Sequence, residues 1–332
     1  MRRYRIEAGG DVWDSAPNGL ADPNALQVDL DVSVTSVDAP QNGSFVRIWG
    51  LGLKAISNAK KYYGQNIEVS GGFAKGLPLA RPSQFGLLAK GIVTQAWGTW
   101  EGTNQYLDLA ITPGGGVPCA TGPNPMPPKN KLVLNWKKGQ MLEEALKETL
   151  RSAFPEMQSE FNIQEQLKAD QDNVHYASSL PQLGYYLRRL TQQMVGGRYP
   201  GVSLDPSSGK IDVFDYSKPS AKRIEFSDLI GSPIWQKPAE LELKTAMRGD
   251  IKFGDRVTLP NVWVNSSQSG APVGGFVDYA PSLGGEFVVQ SIRHIGSSRA
   301  PSGDAWVSVF TLNPTIPPSD GDTCQSSSEG GL

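Results

Sequence analysis

The chain has 332 residues, and its 31 Lys+Arg against 33 Asp+Glu leave a formal net charge of −2, which excludes a protein that grips nucleic-acid phosphates along a basic face. Charged residues make up only 19% of the chain while Gly (37) and Pro (25) are frequent, as in a turn-rich β protein; eight Trp, ten Tyr and eleven Phe argue for real cores rather than disorder. Cys119 and Cys324 are too few for a disulfide framework and lack metal-ligand spacing, so both are expected as free thiols.

The start, Met1-Arg2-Arg3-Tyr4-Arg5-Ile6-Glu7, is basic with no apolar run behind it, so it does not read as a secretory signal. No stretch approaches the roughly 18 apolar residues that span a bilayer. Across 24–36, Leu26, Val28, Leu30, Val32 and Val34 alternate with Gln27, Asp29, Asp31, Ser33 and Thr35; period two predicts a long strand with one buried face and one wet face. The turn residues of 38–43 then lead into a second strand over 44–49. Leu53, Ile56 and Ala59 sit at helical spacing and predict a short helix over 51–64 ended by Gly64. Strand follows at 67–69, and 85–95 with 104–112 form a strand pair joined by a loop over 96–103. Residues 1–112 thus read as a small β domain carrying one helix. The Pro/Gly-rich stretch 113–130 propagates neither helix nor central strand and reads as a linker or extended arm.

The composition then changes. Met141, Leu142, Ala145, Leu146, Thr149 and Leu150 form a helical stripe over 140–153, stopped by Pro155. A second helix is predicted over 181–195, with Leu183, Tyr186, Leu187, Leu190 and Met194 on one face and Gly196-Gly197 at its end. Residues 202–205 and 210–216 read as a hairpin. The segment 131–235 is therefore an α+β insert. From 236 to 316 the β pattern returns, with a closing strand pair at 286–295 and 304–312. The Ser/Gly-rich tail 317–332 reads as disordered. The pairs 85–112 and 286–312 share a layout: apolar strand, polar loop with Gly, alternating strand, and a Trp near the turn. This pattern suggests two copies of one kind of β domain flanking the insert.

Chemistry is scarce. His175 and His294 are the only histidines, with no HExxH or HxH spacing, and both read as structural. Gly114-Gly115-Gly116 lacks the Lys-Ser/Thr of a phosphate loop, and no Gly-x-Ser-x-Gly elbow is present. Glu143, Glu144 and Glu148 fall on the outer face of the predicted helix, a solvated face rather than a paired acid site. Arg248-Gly249-Asp250 matches a cell-adhesion tripeptide, a triplet common by chance. Trp97 and Trp100, in the 96–103 loop, are the candidate functional residues. They fit a barrel plug, a contact for a protein partner, or a platform for sugar stacking. No catalytic residue, metal or cofactor is expected, and the readings left open are a structural protein, a receptor- or carbohydrate-binding β protein, and a hydrolase.

Several stretches resemble the baseplate or tail hub proteins of tailed bacteriophages. They are Phe45-Val46-Arg47-Ile48-Trp49-Gly50-Leu51 followed by the short helix, Ile67-Glu68-Val69-Ser70-Gly71-Gly72-Phe73, Gly91-Ile92-Val93, the run from Gly249 to Pro260, and the two strands beginning at Phe287 and Ala305. The resemblance covers mostly 25–112 and 238–313; the insert resembles the family only in its place, and 113–130 has no match. It implies a mainly β fold with an α+β insert: two small tail-tube-like β-barrel domains, 1–112 and 236–316, flanking a helical insert. It also implies a non-enzymatic virion protein of the tail tip or baseplate, assembled in the host cytoplasm. There it would form a homotrimer whose six barrels join a sixfold tail tube to a threefold spike. The implied partners are a tail-tube or distal tail protein, the tail spike, the tape-measure protein and, transiently, DNA passing through the lumen.

Overall fold

A computed structural model describes residues 1–38, 43–74, 82–113, 132–155, 157–206, 210–237, 240–263, 265–266 and 282–315. The chain opens with a hairpin to which the sequence reading gave no element: β1 (Arg2–Ala8) and β2 (Asp11–Asp14). The turn glycines Gly9 and Gly10 are at positive φ. Tyr4, Ile6 and Ala8 are buried between Arg3, Arg5 and Glu7; the alternation is present in the sequence but masked by its charge. The expected hairpin forms as β3 (Val28–Thr35) and β4 (Ser44–Trp49). The helix expected over 51–64 is shorter. It comprises α1 (Leu53–Ser57) and a separate 3-10 turn at Ala59–Tyr62, divided at Asn58.

Next come β5 (Asn66–Phe73), β6 (Gly86–Glu101) and β7 (Asn104–Pro113). Here the 96–103 loop is corrected: β6 runs unbroken to Glu101, and the chain reverses over Gly102 and Thr103. Gly98 and the threonines suggest a loop in sequence. The ladder with β7, including Trp97 opposite Asp108 and Trp100 opposite Gln105, keeps them extended. Gly98 is needed for contact with α1, since a Cβ there would stand 2.2 Å from the Ile56 carbonyl oxygen.

The insert contains β8 (Leu132–Trp136), α2 (Leu142–Ala153), β9 (Ser159–Asn162), β10 (Asn173–Ala177), α3 (Leu180–Val195), β11 (Ser203–Asp205) and β12 (Ile211–Phe214). Both expected helices are present. Glu143 and Glu144 complement the N-terminal dipole of α2. Ser179 caps α3, accepting from the Gln182 N–H, with Pro181 in its first turn. The remaining strands are β13 (Ala221–Arg223), β14 (Ile234–Lys237), β15 (Glu240–Ala246), β16 (Arg256–Trp263), β17 (Asn265–Ser266), β18 (Ser282–Ser297) and β19 (Trp306–Pro314). The arm 114–130, the tail 317–332, the turn residues 39–42, Cys119 and Cys324 lie outside the described residues.

Two units of the large sheet repeat each other. Strands β4, β5, β6 and β7 lie in the order β4-β7-β6-β5; strands β15, β16, β18 and β19 lie in the order β15-β19-β18-β16. The registers coincide. Strands β6 and β18 each have 16 residues, and each carries a register shift after its eighth residue, between Val93 and Gln95 and between Val289 and Ser291. Gly91 faces Pro113, and Phe287 faces Pro314. Gly64 N–H donates to the Val93 carbonyl at 2.8 Å, and Gly254 N–H to the Val289 carbonyl at 2.9 Å. Both glycines have positive φ, which only glycine adopts freely. The layout shared by the two hairpins in sequence is thus the trace of a four-stranded repeat.

The repeats join through β3, which pairs with β4 on one side and with residues 291–297 of β18 on the other. Three apolar clusters follow this plan. The first gathers Tyr4, Ile6, Val32, Ile48, Val69 and Leu109, and Trp306 of β19 enters it from the second repeat. The second is mainly the insert's, around Leu134, Trp136, Leu146, Leu183 and Leu204, joined by Val37 from the segment after β3. The third holds Leu241, Leu243, Val257, Val289, Phe310 and Leu312. Each fully buried aliphatic or aromatic side chain stabilises by about 1.5–3 kcal/mol.

Candidate interaction site

The sequence-predicted residues Trp97 and Trp100 lie on β6, in the half of the hairpin that extends past β5. The β5 ladder ends at Asn66 opposite Ile92, and Gly64 and Gln65 bond Val93. Beyond that point, residues 95–101 bond β7 on one edge; on the other edge no strand is paired with them among the described residues. Trp97 is 44% exposed and Trp100 64%, so neither plugs a core. Trp100 Nε1 donates to the Gly102 carbonyl at 2.8 Å. Beside them, Arg47 makes a two-pronged pair with Asp108, at 2.6 and 2.9 Å, and lies 4.2 Å from the Tyr106 ring centroid. An open strand edge carrying exposed aromatic side chains has the chemistry of a protein-docking surface.

A second cluster, not seen in sequence, lies where the insert meets the second repeat. Lys218 Nζ reaches Asp205 at 2.6 Å and Asp212 at 2.7 Å. Burial alone would lower the pKa of Lys218, but these two carboxylates more than offset it and hold it above the usual lysine value. Burial lowers Lys252 to about 8 despite nearby Asp205 and Asp255, and its ammonium donates to the Leu87 carbonyl. Asp255 is pushed up to about 6, chiefly by burial, although it accepts from the Lys252 N–H. Phe214 packs against Phe253 with centroids 5.6 Å apart and the rings tilted by 56°, over Gly254, where a Cβ would stand 2.4 Å from the Phe214 ring. A cavity of about 250 Å³ opens beside Lys210, Lys222 and Asp250. The only sequence trace of this cluster is the likeness of Phe253-Gly254-Asp255 to Tyr63-Gly64-Gln65.

The other candidates hold structural positions. His294 is fully buried, bonds Ser308 at 2.8 Å through Nδ1, and is depressed to about 3 by burial and by Lys252, which keeps it neutral. His175 stacks on Tyr186 at 3.5 Å. Glu143 pairs with Lys147 on the outer face of α2. Arg248 is 4% exposed. It forks onto Asp250 at 3.0 and 2.7 Å and reaches Asp228 at 3.0 Å, so the Arg-Gly-Asp triplet is spent on its own fold. Among the described residues no three His, Cys, Asp or Glu side chains converge as a metal site, and no helix is long and apolar enough to cross a membrane.

No protein-family model matches the chain, and no curated protein matches it in sequence. Solved structures do. The 43 kDa tail protein of prophage MuSo2 from Shewanella oneidensis aligns with a TM-score of 0.53 at 10% identity, over 95% of this chain and 97% of its own. A tail protein from Neisseria meningitidis MC58 aligns at 0.49 and 11% identity, over 94% and 96%. A type VI secretion component of E. coli aligns at 0.46 and 10% identity, over 88% and 73%. On the likeness to the Shewanella protein, this chain has the mainly β fold of a phage tail protein.

Proposed function

We propose that the chain is a structural hub of a phage tail tip or baseplate, assembled in the host cytoplasm into a homotrimer within the virion. The observation that carries this is the repeat: one chain holds the same four-stranded unit twice in one sheet, so three chains present six such units around a threefold axis. That arrangement matches a sixfold tail tube on one side and a threefold spike on the other. The tail-tube or distal tail protein, the spike and the tape-measure protein are the partners, and DNA crosses the lumen. A net charge of −2 suits a wall that must not hold phosphate. The same reading divides the chain into repeat-bearing domains 1–112 and 236–316, an arm 113–130, an insert 131–235 and a tail 317–332. No step of this role needs catalysis.

Electron microscopy of the purified protein mixed with the tail-tube protein of its particle tests the proposal. The expected image is a three-copy ring capping the tube; a monomer that leaves the tube bare would overturn it. The exposed Trp97 and Trp100 also favour a second reading, a receptor- or carbohydrate-binding protein of the tail tip. Saturable binding on a glycan array that is lost in Trp100→Ala would replace the hub reading with that one.

A further inference from the structure

We infer that the open edge of β6, residues 95–101, receives β14 of a second copy of this chain as an antiparallel strand. The argument starts from the seam inside one chain. There β18, past its register shift, pairs with β3: Arg293 faces Ser33, His294 faces Val32 and Ile295 faces Asp31. The repeat gives every strand of this seam a counterpart. Aligning the register shifts of β18 and β6 places Gln95, Ala96, Trp97, Gly98, Thr99, Trp100 and Glu101 on Ser291 through Ser297. The counterpart of β3, the strand that hairpins onto β4, is β14, the strand that hairpins onto β15. Asp31 faces Phe45 in the first repeat and Ile234 faces Glu242 in the second; Phe45 and Glu242 hold the same place, opposite Ala110 of β7 and Thr311 of β19. The matching seam therefore sets Thr99 opposite Ile234 and Gly98 opposite Trp235. Within one chain it does not form, because β6 and β14 stand far apart in the sheet order; it forms between two chains.

The side chains at the two seams support this. Inside the chain, Arg293 forks onto Asp31 at 2.8 and 2.6 Å. At the matching positions stand Trp97, 44% exposed, and Ile234, half-buried. A polar pair across the internal seam is thus replaced by an apolar pair at the other, which gives two apolar side chains a reason to meet. Opposite Trp235 the acceptor strand has Gly98, whose own face is already covered by α1. Among the described residues, the strand paired with the outer side of β14 is β17, over two residues, Ile234 with Asn265 and Trp235 with Ser266. The incoming edge offers seven residues and displaces it. The contact is head-to-tail: each copy gives β14 on one side and accepts on β6 on the other, so copies close into a ring when the rotation fits.

The inference rests on the hub reading for its symmetry, and two measurements on the full chain separate the two. First, in a Cys119→Ser, Cys324→Ser background, a Thr99→Cys chain is mixed with an Ile234→Cys chain and oxidised. A disulfide-linked mixed dimer is expected, absent from either variant alone. Second, mass photometry follows Trp97→Arg, Ile234→Asp and the two together. Each single change is expected to shift assembly at least tenfold in concentration, and the double change, which copies the Arg293–Asp31 pair into the seam, to restore it. Assembly with no mixed dimer and no effect of either single change overturns the edge contact and leaves the hub reading standing. A chain that stays monomeric at every concentration overturns both.

Discussion

Lys252 shows how a single side chain can tie stability to pH. Its pKa falls from 10.5 to about 8 on folding, mainly through burial. Between those values the unfolded chain holds the proton and the folded chain does not, so stability rises as pH rises through that window. Unfolding by denaturant is expected to require about 1–2 kcal/mol more at pH 9.5 than at pH 8, and Lys252→Met is expected to flatten the rise. At lower pH, two groups oppose each other. Asp255, raised to about 6, stabilises the fold as it takes up its proton below that value. His294, depressed to about 3, destabilises it below the normal histidine value, because only the unfolded chain protonates there. None of this was legible in the sequence. No spacing in the sequence marks Asp205, Lys218, Lys252 and Asp255 as a group, and it is long-range packing of the insert on Gly254 that brings them together and buries them. What the sequence did carry was local: the alternation of Val28, Leu30, Val32 and Val34 reports directly which face a strand buries.

At the scale of elements, contacts between the repeats depend on backbone approach. Gly86 and Gly249 touch so closely that a Cβ on Gly86 would stand 2.6 Å from the Gly249 carbonyl oxygen, and Gly249 N–H donates to the Gln84 carbonyl at 2.9 Å. Gly86→Ala is expected to cost about 1–3 kcal/mol by overpacking and to speed hydrogen exchange at the Gly249 amide. Gly43→Ala, where a Cβ would meet nothing within 4 Å, is expected to leave both unchanged. Next to this contact, Arg248 ties Asp228 and Asp250 together with its side chain only 5% exposed. Arg248→Ala leaves the buried Asp228 and the half-buried Asp250 without their cation and is expected to cost about 3–5 kcal/mol in chemical denaturation. The two long helices were readable because an amphipathic stripe is a property of a dozen neighbouring residues. The outer half of the β6–β7 hairpin was not, because Gly98 and its threonines look like loop until a partner strand holds them extended. The repeat shows the same limit: its hairpins share a visible pattern, whereas the matched registers of β5 with β6 and β16 with β18 emerge only from pairing.

For the whole molecule, what matters is how association ends. A contact that uses different surfaces on its two sides either closes after a fixed number of copies or grows without limit. The repeat favours closure, because the seam inside each chain sets the rotation from one unit to the next, and the equivalent seam proposed between chains would continue that rotation. In the proposed hub, six units would make the ring when three chains join. Mass photometry over rising concentration is therefore expected to show monomer giving way to one species of three copies, whose mass then holds constant. A mass that climbs continuously would mean an open fibre and would count against the hub. Replacing Cys119 and Cys324 by Ser is expected to leave the plateau where it was, because the proposed ring is held by strand edges and the aromatic side chains beside them rather than by disulfides. Loss of the plateau in that variant would reveal a covalent bridge between chains instead.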